Sequence, residues 1–259
     1  LGAALIGIAL IAPGAAFGAG GALGFGAVGG GFSLAAQWVW KDKLDIVGFC
    51  EIDQYCRKVL KKNFPDTKVY NDIKTLSGFS FNNVDIITGG FPCQDISQVG
   101  RGEGIEGERS GLWSEMHRVI SEVRPRFAII ENVPMLATRG GTRIINDLAK
   151  IGYDAEWQTI SAKQVGAWHQ RERIWIVAYA NGQRLQRLVR RSQKSKRSNE
   201  SVGLCNRISE QSGWNAEPRV RRVANGISNR MDRLKGLGNA IVPQIAYYIF
   251  SKIKKMEVL

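Results

Sequence analysis

The stretch Val84-Asp-Ile-Ile-Thr-Gly-Gly-Phe-Pro-Cys-Gln-Asp-Ile-Ser97 decides how the chain is read. Val84 to Thr88 is mostly apolar and β-branched at four of five positions, the composition of a buried parallel strand. Gly89 and Gly90 then allow a sharp turn. Pro92 fixes its own φ and keeps Phe91 out of the helical region. Cys93 is thereby placed just past the carboxyl end of a strand, where open α/β sheets bind ligands. A buried thiol packed as a small hydrophobe would satisfy the same residues.

Three later segments extend this signal. Phe127-Ala-Ile-Ile-Glu131 reads as another buried strand and delivers Glu131-Asn132-Val133 to the same edge as Cys93. Gln170-Arg-Glu-Arg173 and Gly238-Asn-Ala240 follow. Each motif is weakly specific alone. Taken in this order with Pro92-Cys93-Gln94, they resemble the DNA (cytosine-5)-methyltransferases over residues 44–180 and 233–250. The resemblance implies a doubly wound α/β, Rossmann-like, S-adenosylmethionine-dependent methyltransferase sheet with a small basic second lobe.

Composition agrees with such a reading without requiring it. The 259 residues suit one sizeable core plus a small lobe, and the net charge of +13 favours an acidic partner such as nucleic acid. Cys50, Cys56, Cys93 and Cys205 form no CxxC pair, and with His117 and His169 as the only histidines no zinc site is visible. A disulfide framework is not expected at this size, which fits a reducing cytoplasm.

The chain opens without a charged residue before Lys41 and holds 11 glycines in its first 31 positions. Length permits a membrane span there. Pro13 and the glycines argue against one, and residues 1–21 are read as a poorly specified leader. A catalytic and cofactor-binding domain is expected over 22–180, a basic target-recognition region over 181–232, and a returning segment over 233–259. Residues 181–231 carry 12 Lys and Arg against 3 Glu, and few apolar residues. They are read as phosphate-contacting with some base reading.

Residue roles follow from the resemblance. Phe25, Gly29 and Gly30 fall on the family's cofactor loop, although Ala27 stands where a Gly is expected and Gly31 is one residue too many. Glu51, at the end of a strand beginning near Ile46, would accept the ribose diol, with Ile52 beside it. Asp72 would accept the adenine amino group and Ile73 would pack beside the ring. Pro92, Asn239 and Ala240 complete the expected cofactor pocket. Ser97, Arg101 and Arg109 lie in a Gly-punctuated loop, and with Arg190, Arg191 and Arg233 they are the DNA-contact candidates. In the Gln-x-Arg-x-Arg segment, Trp168 and His169 replace the family's Pro and Gln.

The implied chemistry is methylation of cytosine at carbon 5. Cys93 would add to carbon 6 of the ring. Glu131 would assist at ring nitrogen 3, and Arg173 with Arg171 would bind the carbonyl oxygen. A stacked base cannot react this way and must be flipped out. Double-stranded DNA is the expected partner of a monomeric enzyme, with a cognate restriction endonuclease as a further partner. An RNA cytosine methyltransferase, a catalytically silent DNA-binding protein with a damaged cofactor loop, and a membrane-anchored protein remain the alternatives.

Overall fold

The computed structural model describes residues 8–13, 21–25, 30–81, 83–91, 112–180 and 239–257. Eight strands form one sheet: β1 (Ile8–Pro13), β2 (Gly21–Phe25), β3 (Leu44–Cys50), β4 (Val69–Tyr70), β5 (Val84–Gly89), β6 (Phe127–Asn132), β7 (Tyr153–Ser161) and β8 (Glu172–Ala180). Their order across the sheet is β4-β3-β1-β2-β5-β6-β8-β7. The pairings β3–β4, β2–β3, β2–β5 and β5–β6 are parallel, whereas β8 runs antiparallel to both β6 and β7.

Among the described residues, five helices accompany the sheet: α1 (Gly31–Trp40), α2 (Gln54–Asn63), α3 (Leu112–Val123), α4 (Gly141–Lys150) and α5 (Pro243–Glu257). Successive strand residues divide between two cores, which is the mark of a sheet buried on both faces. Ile87, Ala128, Ile130, Ile174 and Ile176 pack with Met116, Ile120, Ile144 and Leu148 of α3 and α4. Ile86, Phe127, Ile129 and Trp175 point the other way, toward Phe32 and Ala36 of α1 and Ile245, Ile249 and Ile253 of α5. The sheet is therefore doubly wound, as the apolar strand runs imply.

Segment 1–21, read as a leader, contributes a strand. Residues Ala9–Ile11 of β1 lie antiparallel to Thr88–Ile86, and Ile8–Leu10 lie antiparallel to Phe25–Leu23. The apolar run ends at Pro13, which cannot donate to a ladder. Parallel pairing sets Phe25 opposite Cys50, so β2 ends at the same edge as β3. Among the described residues, no helix is long and apolar enough to cross a membrane.

Other differences are local. Val69-Tyr-Asn-Asp-Ile reads as one strand end, but only Val69 and Tyr70 pair; Asp72 instead caps a 3-10 turn at Ile73–Thr75. Its carboxylate accepts from the Lys74 N–H at 2.9 Å, the habit of Asp at turns. In α2 the inward residues are Cys56 and Leu60, with Tyr55 and Val59 half-buried.

Candidate active site

The parallel register of β5 and β6 brings the turn after β5 against the end of β6. A Cβ at Gly90 would lie 2.6 Å from the Glu131 carbonyl oxygen, so the backbones touch there and only glycine fits. Beyond it, the Asn132 Nδ2 donates to the Phe91 carbonyl oxygen at 3.0 Å. Asn132 Oδ1 in turn accepts from the Val133 N–H at 2.8 Å. Phe91 is buried with its ring 5.7 Å from that of Trp113. The chain is thus pinned at the residue before Pro92-Cys93.

Antiparallel pairing of β6 with β8 sets Glu131 opposite Trp175, which makes Arg173 its diagonal neighbour on the same face. Arg173 Nε reaches Glu131 Oε1 at 3.1 Å. Burial raises the Glu131 carboxyl from 4.5 to about 7, against the opposing pull of Arg173 and Arg171. Desolvation has won over ion pairing, because Glu131 is only 9% exposed. Near neutrality this carboxyl exists in both protonation states.

Arg171, in the left-handed region at φ 33°, donates from Nη2 to the Ala240 carbonyl oxygen. Burial and the neighbouring Arg173 charge lower its guanidinium pKa. This contact ties the Asn239-Ala240 segment to the arginine pair, and Ile241 continues the tie by packing on α1. A Cβ at Gly31 would meet Ile241 Cγ1 at 2.8 Å. The loop from β7 to β8 that carries Arg171 is closed by Ala162 N–H donating to Gln170 O at 2.7 Å. Trp168 at its tip is half exposed, its ring 5.1 Å from that of His169.

A second group of side chains lines the same edge at β3 and β4. Glu51 is fully buried, and its Oε1 accepts from the Asp53 N–H at 2.8 Å. Burial pushes the Cys50 thiol up to about 12, with Asp72 and then Glu51 adding to the rise. Both carboxylates therefore act on one thiol from the same end of the sheet. Arg57 Nη1 closes the turn after β3 by donating to the carbonyl oxygens of Glu51 (3.1 Å) and Ile52 (2.7 Å). Ile52 is left 44% exposed, whereas Ile73 is sealed in the core.

Comparison with known proteins then decides the family. A family model for C-5 cytosine-specific DNA methylase matches residues 20–225. The chain belongs to the C-5 cytosine-specific DNA methylase family. It is 37% identical to the Type II methyltransferase M2.BsuMI of Bacillus subtilis (strain 168) over 138 residues, 50% of this chain and 35% of that protein. It is 36% identical to the Type II methyltransferase M.CviJI of Paramecium bursaria Chlorella virus IL3A over 134 residues, 51% of this chain and 36% of that protein. The chain spans about a third of the length of the curated relatives it matches. A crystal structure of a Spodoptera frugiperda DNMT2 mutant shares the fold, with a TM-score of 0.51 at 22% identity over 61% of this chain and 49% of that one.

Within this C-5 methylase framework the expected site residues divide. Glu131, Arg171, Arg173 and Ala240 are brought together at the β6–β8 edge, and Glu51, Ile52 and Asp72 at the β3–β4 edge. Gly30 opens α1 at φ 82°, and a Cβ there would strike the Phe64 ring. Its left-handed backbone and this close packing thus account for that glycine. Gly29, Pro92, Cys93, Ser97, Arg101, Arg109, Arg190, Arg191 and Arg233 lie outside the described residues. Among the described residues, no group of His, Cys, Asp and Glu could hold a metal ion. Asn132 was legible only as part of the Glu131-Asn132-Val133 motif, and Arg57 not at all, because each acts on backbone carbonyls that the sequence does not mark.

Proposed function

We propose that this methylase-family chain transfers a methyl group from S-adenosylmethionine to carbon 5 of a flipped-out cytosine in duplex DNA. The observation that supports the reading is the Glu131–Arg173 pair at the end of β6, next to the Asn132–Phe91 hydrogen bond that holds the chain two residues before Cys93. When bound, S-adenosylmethionine supplies an electrophilic methyl group. Glu51 would hold the ribose diol and Asp72 the adenine amino group, with Ile52 against the ring.

Cys93, as thiolate, adds to carbon 6 of the cytosine and makes carbon 5 nucleophilic. Glu131 holds a proton at ring nitrogen 3, a role that its raised pKa suits. Arg173, backed by Arg171, faces the carbonyl oxygen where negative charge develops. Once carbon 5 carries the transferred methyl group, loss of its proton expels Cys93 as thiolate and restores the ring. The basic stretch 181–231, with Arg190 and Arg191, would contact phosphates of the duplex.

The test is transfer of labelled methyl from S-adenosylmethionine to mixed-sequence duplex DNA, followed by nucleoside analysis. Label in 5-methylcytosine is expected, and Cys93→Ser should abolish it while retaining DNA binding. DNA binding without transfer by the unaltered chain would overturn the catalytic reading. Label carried by RNA in place of DNA would overturn the substrate.

A further inference from the structure

Asp72 owes its place to a clamp on the far side of its turn. The 3-10 turn Ile73–Thr75 is capped at its start by Asp72, whose Oδ1 accepts from Lys74 N–H and whose carbonyl oxygen accepts from Thr75 Oγ1 at 3.0 Å. At its other end the turn presents carbonyl oxygens, and Arg118 of α3 takes two of them. Its Nη2 donates to Ile73 O at 2.8 Å and its Nη1 to Leu76 O at 3.0 Å. The guanidinium is itself fixed, with Nε on Glu115 at 2.9 Å and Nη1 on Glu122 at 3.0 Å. Glu122 Oε2 also accepts from the Gly78 N–H at 2.6 Å. A Cβ at Gly78 would lie 2.6 Å from Glu122 Cβ, so the segment is pressed against α3.

We propose that Arg118 is a positioning residue for cofactor recognition: it fixes the turn that presents Asp72, and thereby sets preference for an adenine amino group. The inference rests on the reading of Asp72 given above. Three features single out Arg118. Its planar fork bridges two carbonyls and two carboxylates at once, which the point charge of a lysine does not do. Every other hydrogen bond that holds residues 72–76 in the turn is local; Ile73 and Leu76 pack in the core beside α3, and the clamp adds the polar link that fixes the turn's backbone to that helix. Lastly, Asp72 is only partly buried, and packing of its own side chain does not fix it.

The clamp predicts an effect selective for one ligand atom. Binding of S-adenosylhomocysteine, and of its analogue with the adenine amino group replaced by oxygen, would be measured by calorimetry on the full chain. Arg118→Ala should weaken the adenine ligand about tenfold and the oxo analogue much less, as loss of one aligned hydrogen bond requires. Asp72→Asn should narrow the same preference. In the double variant the two losses should not add, because both act through one contact. Arg118→Lys keeps charge and stem, and is expected to lie between wild type and Arg118→Ala; it carries the test if the alanine variant does not fold. Equal weakening of both ligands, or full additivity with Asp72→Asn, would overturn the positioning role. An unaltered chain that does not distinguish the two ligands would overturn the adenine reading of Asp72, and the inference with it.

Discussion

Asn132 donates to the carbonyl oxygen of Phe91 at 3.0 Å across the gap between the ends of β6 and β5. Both residues are buried. The bond fixes the chain where it leaves the sheet, two residues before Cys93, so for the nucleophile proposed above it bears on placement and not on reactivity. Asn132→Ala leaves a buried carbonyl without this donor, at a cost of about 1–3 kcal/mol. A displaced nucleophile loses rate steeply, and kcat should fall by about a hundredfold. Cofactor affinity, which the proposed function assigns to Glu51 and Asp72, should change little. Single-turnover methylation beside calorimetric binding of S-adenosylhomocysteine separates the two effects. A variant that lost both together would show that Asn132 supports the whole fold.

Gly90 tests the same junction by steric means. An added methyl would lie 2.6 Å from the Glu131 carbonyl oxygen, a backbone atom that cannot swing away. Gly90→Ala must part β5 from β6 at their ends, and overpacking of this kind costs about 1–3 kcal/mol. The expected result is a lower urea midpoint and loss of transfer. Near-wild-type activity in this variant would mean that the two strand ends are not held this closely.

The legible part of the protein was its sheet. Val84–Thr88 and Phe127–Glu131 are apolar enough to announce buried parallel strands, and their shared edge follows from the fold class. The family resemblance assigned Glu131 and Arg173 to one cytosine but did not announce the ion pair between them. Contacts made by side chains to carbonyls were hidden. Arg118 looks like an ordinary member of the polar face of an amphipathic helix, with Glu115 and Glu122 at helical spacing. Its two carbonyl partners, Ile73 and Leu76, lie 45 and 42 residues away in sequence. The strand at Ile8–Pro13 was obscured by surrounding glycine and alanine, whose composition suggests a poorly specified leader.

Arg171 joins the C-terminal segment to the catalytic edge by donating to the Ala240 carbonyl oxygen. Arg171→Ala should therefore loosen residues 239–242 while leaving α5 packed on α1 through Ile245, Ile249 and Ile253. Amide hydrogen exchange is the direct measurement. Faster exchange at Asn239–Val242, with α5 protected as before, is expected. Unchanged exchange there would show that Ile241 against Gly31 holds the segment alone.

Glu131 is the residue for which function and stability oppose one another. Burial lifts its carboxyl from 4.5 to about 7. Below the lower value it is protonated in folded and unfolded chains alike and costs nothing. As pH rises from 4.5 to 7, the unfolded chain ionises while the folded chain keeps its proton. The group's contribution to stability falls through that window, and above it a cost of about 3 kcal/mol remains. Glu131→Gln has no proton to lose. Its stability relative to the unaltered chain should therefore climb by about 3 kcal/mol across the window and then level off. Transfer should meanwhile fall by about 10²–10⁴, because an amide cannot supply a proton to ring nitrogen 3. Urea unfolding of both chains across the window, with transfer rates on the same preparations, reads both effects. Parallel stability curves would show that the folded carboxyl titrates normally, and Glu131 would then be anionic at neutral pH and unable to act as the acid.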